Sequence, residues 1–152
     1  ACAVYPIIPY LDPGAAIWCP FDTCTSEFVR IFSREGFRVI YGHIKTGQDF
    51  FQTDVPECDY IISNTPYSLK NQVLERLYSI GKPFAMLINF QGIFGSKERF
   101  KMFKENKVEM LWLYPRVNYM DEHGNPSKSA PFQSGYICSR ICDKSLGFEY
   151  LA

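Results

Sequence analysis

The chain has 152 residues, with 16 Lys and Arg against 16 Asp and Glu, for a formal net charge of zero. Its 47% hydrophobic and 21% charged content is that of an ordinary folded chain, long enough to bury one core. Zero net charge argues against a protein that grips nucleic acid through a broad basic face, and no apolar run approaches the ~20 residues of a membrane-spanning helix.

The chain opens on Ala. The stretch ACAVYPIIPYLDPG has no basic segment ahead of its apolar residues, so it does not read as a secretory leader. The expectation is a start that is processed or that lacks upstream sequence. Ala16 to Cys19 (AIWC) reads as a short buried strand. Thr25 or Ser26 can cap a helix whose apolar face is Phe28, Val29 and Phe32 and whose stop is Gly36. Phe37 to Ile44 (FRVIYGHI) alternates like a strand, and Asp59 to Ser63 is the next. Ser68 can cap a second helix, with Leu69, Val73, Leu74, Leu77 and Ile80 at helical spacing and Gly81 and Pro83 at its end. Phe84 to Asn89 (FAMLIN) is the continuous apolar run of a strand covered on both faces.

The second half repeats the alternation. Lys97 to Asn106 reads as a helix with Phe100 and Phe103 inward, and its basic residues read as a solvated face. Val108 to Tyr114 is a strand, Asp121 to Pro126 a loop or hairpin tip, and Ser134 to Ile141 a last strand. Trp18 and Trp112 are expected in the core. No helical pattern separates the last two strands. The order predicts an α/β fold, mostly parallel with a terminal antiparallel strand and helices on both faces, as one domain over 1–152. The six cysteines form no C-x-x-C pair, and there are only two histidines. That pattern suits buried, reduced cysteines in a cytoplasmic protein and gives no support to a metal centre.

Ligands in such sheets sit beyond the carboxyl ends of the strands. The strand Asp59–Ser63 runs there into Asn64-Thr65-Pro66-Tyr67. An Asn side chain offers a carbonyl acceptor and an amide donor. Pro66 keeps Thr65 extended, which fixes the direction of the Thr65 carbonyl. Two oxygens converging on one point suit an exocyclic amino group, and Tyr67 offers a face on which a base can stack. Read alone, the same four residues also suit a strand-ending turn.

The stretch SNTPYS resembles the N-P-P-Y motif of amino-group methyltransferases that use S-adenosylmethionine. The segment 17-IWCPFDTCTSEFVRIF-32 resembles their first strand, cofactor loop and first helix, and 47-GQDFF-51 resembles the segment that meets the cofactor adenine. With KPFAML, the combination is similar to a small, phage-associated branch of adenine-N6 DNA methyltransferase-like proteins, over nearly the whole chain. The resemblance implies a Rossmann-like methyltransferase sheet and S-adenosylmethionine as cofactor. It implies catalytic roles for Asn64, Thr65, Pro66 and Tyr67. Pro20, Phe21, Asp22 and Ser26 would line the cofactor loop, His43 would meet the ribose, and Asp49 and Phe50 the adenine. It implies no metal, and nucleic acid as partner, DNA ahead of RNA, with a base in duplex flipped out first.

The pattern departs from the family at three places. Thr23, Cys24 and Thr25 stand where the cofactor loop usually carries glycine, His43 stands for an acid, and Thr65 for the first Pro. These departures keep a second reading open, a catalytically degenerate module that binds nucleic acid or a protein partner through the same cleft. A third is methylation of a protein glutamine amide. Asp49 also reads as a turn cap, and His43 as a plain strand-end residue. Specificity is expected from the loops Phe90–Ser96 and Arg116–Phe132, from a homo-oligomer or from a separate partner.

Overall fold

The computed structural model describes residues 2–117 and 133–151, the Tyr67 side chain excepted. The Asp121–Pro126 segment and most of the Arg116–Phe132 loop therefore lie outside the described residues. Seven strands form one sheet: β1 (Ala16–Cys19), β2 (Arg38–Tyr41), β3 (Tyr60–Asn64), β4 (Phe84–Asn89), β5 (Glu109–Tyr114), β6 (Ser134–Ser139) and β7 (Leu146–Tyr150). Their order is β2-β1-β3-β4-β6-β5-β7. β6 runs antiparallel to both its neighbours, and every other pairing is parallel. The α/β class and mostly parallel sheet expected from the sequence are thus observed. The antiparallel strand is inserted between β4 and β5. β7, which the sequence reading did not include, forms the edge beyond β5.

The central strands are apolar on both faces because both faces are covered. One face carries helix α1 (Glu27–Arg34), whose Phe28, Val29, Ile31 and Phe32 pack with Ile17, Cys19, Ile62 and Leu87. A short 3-10 helix, Tyr5–Tyr10, joins that layer through Ile7. The other face carries α2 (Lys70–Ile80) and α3 (Lys97–Glu105). There Val73, Leu74 and Leu77 pack with Trp18, Ile61, Met86 and Ile137. Gly135 in β6 marks a close approach. A Cβ there would meet the Leu111 carbonyl and the Phe90 ring at 2.5 Å each.

Several local expectations shift. Ser26 is the N-cap residue of α1 but makes no capping bond. α2 begins at Lys70 after a 3-10 turn, Tyr67–Leu69, so Ser68 caps nothing. The second strand stops at Tyr41, because Gly42 and His43 turn the chain into a 3-10 turn, Ile44–Thr46. Phe100, expected inward on its helix, is exposed, and so is Trp112, expected in the core as a strand residue. Trp18 is buried as expected. The cysteines are all unpaired; Cys19, Cys58, Cys138 and Cys142 are buried, Cys2 is half-buried, and Cys24 is exposed.

Candidate functional site

The chain passes from β1 to β2 on one side and to β3 on the other, so the sheet order reverses at β1. A crevice is expected beyond the carboxyl ends of strands flanking such a point. A cavity of about 740 Å³ lies there, walled by the β1–α1 loop, the turn after β2, the 48–51 segment and the end of β3. Pro20, Phe21, Asp22 and Ser26 line it from the first loop, His43, Asp49 and Phe50 from the second side, and Asn64, Thr65 and Pro66 from the third. The structure brings together ten of the residues singled out in the sequence. For Tyr67 it describes only the backbone, at the head of the 3-10 turn.

The β1–α1 loop is folded by side chains. The Thr23 N–H donates to Ser26 Oγ at 3.0 Å, and the Phe21 N–H to Ser63 Oγ at 3.2 Å. Ser63 Oγ in turn donates to Asp22 Oδ2, and Ser26 also hydrogen-bonds Asp22. Ser26 thus serves the loop that precedes its helix. Asp22 is only 5% exposed. Burial pushes its carboxyl above the ordinary aspartate value; the bonds from Ser63 and Ser26 oppose the shift. The result is a buried carboxylate on the cavity floor.

His43 heads the 3-10 turn in a reciprocal capping arrangement. Its Nδ1 accepts from the Lys45 N–H at 3.0 Å, and its own N–H donates to Thr46 Oγ1 at 3.2 Å. With Nδ1 an acceptor, the neutral ring carries its proton on Nε2, which leaves a donor for a ligand. Asp49 does act as a turn cap. Its Oδ1 accepts from the Phe51 N–H at 3.0 Å. Phe50 is buried, with its ring centroid 5.5 Å from Trp18, 5.0 Å from Phe21 and 5.4 Å from Phe51. The Arg76 guanidinium lies 5.3 Å from the Phe50 centroid and donates to the Thr53 carbonyl at 2.9 Å, fastening this wall to α2.

At the end of β3, Asn64 is exposed and Thr65 buried. The Thr65 N–H donates to the Leu87 carbonyl at 3.1 Å, extending the β3–β4 ladder past Asn64. A proline at 65 could not make that bond. Among the described residues Thr65 Oγ1 has no hydrogen-bond partner. Pro66 (φ −58°, ψ 136°) then turns the chain toward α2. Asp59, the acid ahead of the motif, is structural. Its Oδ2 accepts from the Ala16 N–H at 2.8 Å and its own N–H donates to the Ala16 carbonyl, clamping β1 to β3.

Thr23, Ile44, Lys45, Gln48, Phe51 and Leu69 also line the cavity and were not singled out as site residues in the sequence. Thr23, Gln48 and Phe51 were legible as neighbours of named positions, and Leu69 was read only as part of a helical face. Ile44 and Lys45 were not legible, because the FRVIYGHI alternation conceals the turn at Gly42.

No protein-family model matches the chain, and no curated protein matches its sequence. Among solved structures, it is similar to a dimethyladenosine transferase from Plasmodium falciparum. The two are 16% identical with a TM-score of 0.52, over 89% of this chain and 59% of that one. The likeness is one of fold, and the chain has a Rossmann-like α/β sheet.

Proposed function

We propose that the cavity binds S-adenosylmethionine and that the chain methylates an exocyclic amino nitrogen, adenine N6 in nucleic acid, with DNA ahead of RNA. One observation carries this reading. A buried carboxylate, an aromatic wall and the Asn64-Thr65-Pro66 strand end meet in a single cavity at the sheet's switch point. A volume of about 740 Å³ suits a nucleoside-sized ligand with room for a target base. The name of the structural neighbour, a dimethyladenosine transferase, supports adenine as the target.

The residues fit the cofactor's chemistry. When bound, S-adenosylmethionine supplies an electrophilic methyl group on a cationic sulfur. Asp22 offers negative charge to a cationic ligand in a site where water screens poorly. Phe21, Phe50 and Phe51 form the wall for an adenine. His43 Nε2 is positioned as a donor, and Asp49 keeps Oδ2 as an acceptor. Asn64 Oδ1 and the Thr65 carbonyl hold the target amine by its two hydrogens, which turns its lone pair out of the ring. Pro66 fixes that carbonyl's direction, and Tyr67 is assigned to stack on the base. The amine would gain the methyl carbon as that carbon's bond to the cofactor sulfur breaks and a neutral thioether leaves, and would give up one proton to solvent.

A second reading rests on a specific feature. The loop Thr23-Cys24-Thr25 has no glycine, and Asp49 Oδ1 is already spent on Phe51. Both suit a relative that has kept the cleft but lost turnover. Transfer of labelled methyl from S-adenosylmethionine to DNA, RNA and glutamine-bearing peptides separates the readings. The leading one expects labelled N6-methyladenine, absent with Asn64→Ala. Unlabelled products throughout, despite cofactor binding, would leave the binding module, and label on glutamine would move the target to protein. On this reading the chain is one methyltransferase-like domain, working in the cytoplasm with a specificity partner or a second copy.

A further inference from the structure

Parallel ladders are ordinarily covered on both faces. β5 and β7 are parallel, yet among the described residues nothing covers one of their faces at the sheet edge. In register, Trp112 lies beside Phe148 and Tyr114 beside Tyr150. Their ring centroids are 5.9 and 6.3 Å apart. Trp112 is 47% exposed, Tyr114 and Phe148 65% each, and Tyr150 79%. The opposite face of the same strands is packed, with Leu111 and Leu113 buried and Glu149 accepting from Tyr10 Oη at 2.7 Å. Met110, earlier on the bare side, still packs with the α2–α3 layer. The cover therefore ends between Met110 and Trp112. A groove of about 350 Å³ runs among Trp112, Tyr114, Phe148, Glu149 and Tyr150.

We propose that this aromatic face is a homodimer interface, packed on the same face of a second copy about a two-fold axis. Three observations select a second copy. Among the described residues the groove is lined by four rings and the Glu149 backbone between two of them, with no cation, so it does not suit a polyanion. A formal net charge of zero puts no repulsion in the way of self-association. The four partly exposed rings offer on the order of 500 Å² per copy, at the upper end of what a lone monomer carries. Two such faces together bury about 1,000 Å², the lower bound of a specific interface. β7 is also the outermost strand, and LGFEY holds no Lys, Arg or Pro of the kind that protects monomeric edges. The dimer is accordingly weak, with a dissociation constant in the micromolar range. The inference stands apart from the methyltransferase reading, since the face shares no residue with the cavity.

Sedimentation velocity over protein concentrations from about 1 to about 100 µM tests it. The chain should shift from 17.6 kDa toward twice that mass. Phe148→Glu should weaken association at least about tenfold, with the melting temperature of the monomer unchanged. Tyr150→Lys, at the most exposed ring, serves as the second variant should Phe148→Glu fold poorly. A chain that stays monomeric over the whole range overturns the proposal, as does a dimer indifferent to both substitutions. Capture of a single-stranded oligonucleotide by the monomer, lost in Phe148→Glu, would also overturn it and assign the face to nucleic acid.

Discussion

Asn64, Thr65 and Asp22 carry the functional reading at the level of single residues. On the proposed function, Asn64→Ala removes one of two acceptors on the target amine, so methyl transfer should fall by about 10²–10³ in kcat. Cofactor affinity should change little, because the proposed function assigns the residue to the target rather than to the cofactor. Thr65→Val keeps the shape and removes a buried hydroxyl with no partner among the described residues. It should raise the urea midpoint by the equivalent of about 1 kcal/mol; a loss of stability would show that the hydroxyl is satisfied. For Asp22 the sign follows from burial. Its folded pKa lies above its unfolded value, so the fold holds that proton more tightly. The associated stability is complete below the unfolded value, near 4, and is lost as pH rises through the raised folded value. Asp22→Asn escapes that loss. Its melting temperature relative to the parent should therefore be higher at about pH 8 than at about pH 3, read by calorimetry. Asn64 and Thr65 were legible because their chemistry is rare at a strand end, whereas Asp22 was reached only through the resemblance of the segment that holds it. Lys45 was not legible, since an exposed polar residue in a turn has no distinguishing pattern.

Secondary-structure elements show which sequence signals suffice. The runs AIWC, YIIS and FAMLIN became central strands because a continuous apolar run needs cover on both faces. β5 alternates apolar residues on both sides, and nothing in Leu111-Trp112-Leu113 says which side is covered. Trp112 was placed in the core on that ambiguity. Phe100 failed for a related reason: it shares its side of α3 with Phe103, but the short helix ends its packing before Phe100. β7 carried a signal, the alternation of Leu146, Phe148 and Tyr150, hidden behind a polar turn. That turn is held by Glu109, which is 1% exposed and accepts from the N–H groups of Arg140, Ile141 and Cys142 at 2.9, 3.0 and 2.7 Å. Glu109→Ala strands those donors and should cost roughly 3 kcal/mol in chemical denaturation. Arg76 fastens the Phe50 wall to α2 in the same fashion. Arg76→Ala should weaken cofactor binding about tenfold, through a looser wall, while Asn64 stays in place. Unchanged affinity would show that the wall stands without α2.

At the scale of the molecule, fold class followed from the order of elements, and the site followed from topology. Reversal of strand order at β1 opens a crevice, and the chain puts its unusual residues on the loops that border it. The dimer face was not legible, because it depends on where a helical layer stops, which no periodicity reports. The most direct test of the account is calorimetric titration of the chain with S-adenosylmethionine, repeated on Asp22→Asn and Asn64→Ala. The account predicts one saturable site, weakened at least about tenfold by Asp22→Asn and left nearly intact by Asn64→Ala. No saturable binding by the folded parent chain, at ligand concentrations up to about 1 mM, would contradict it.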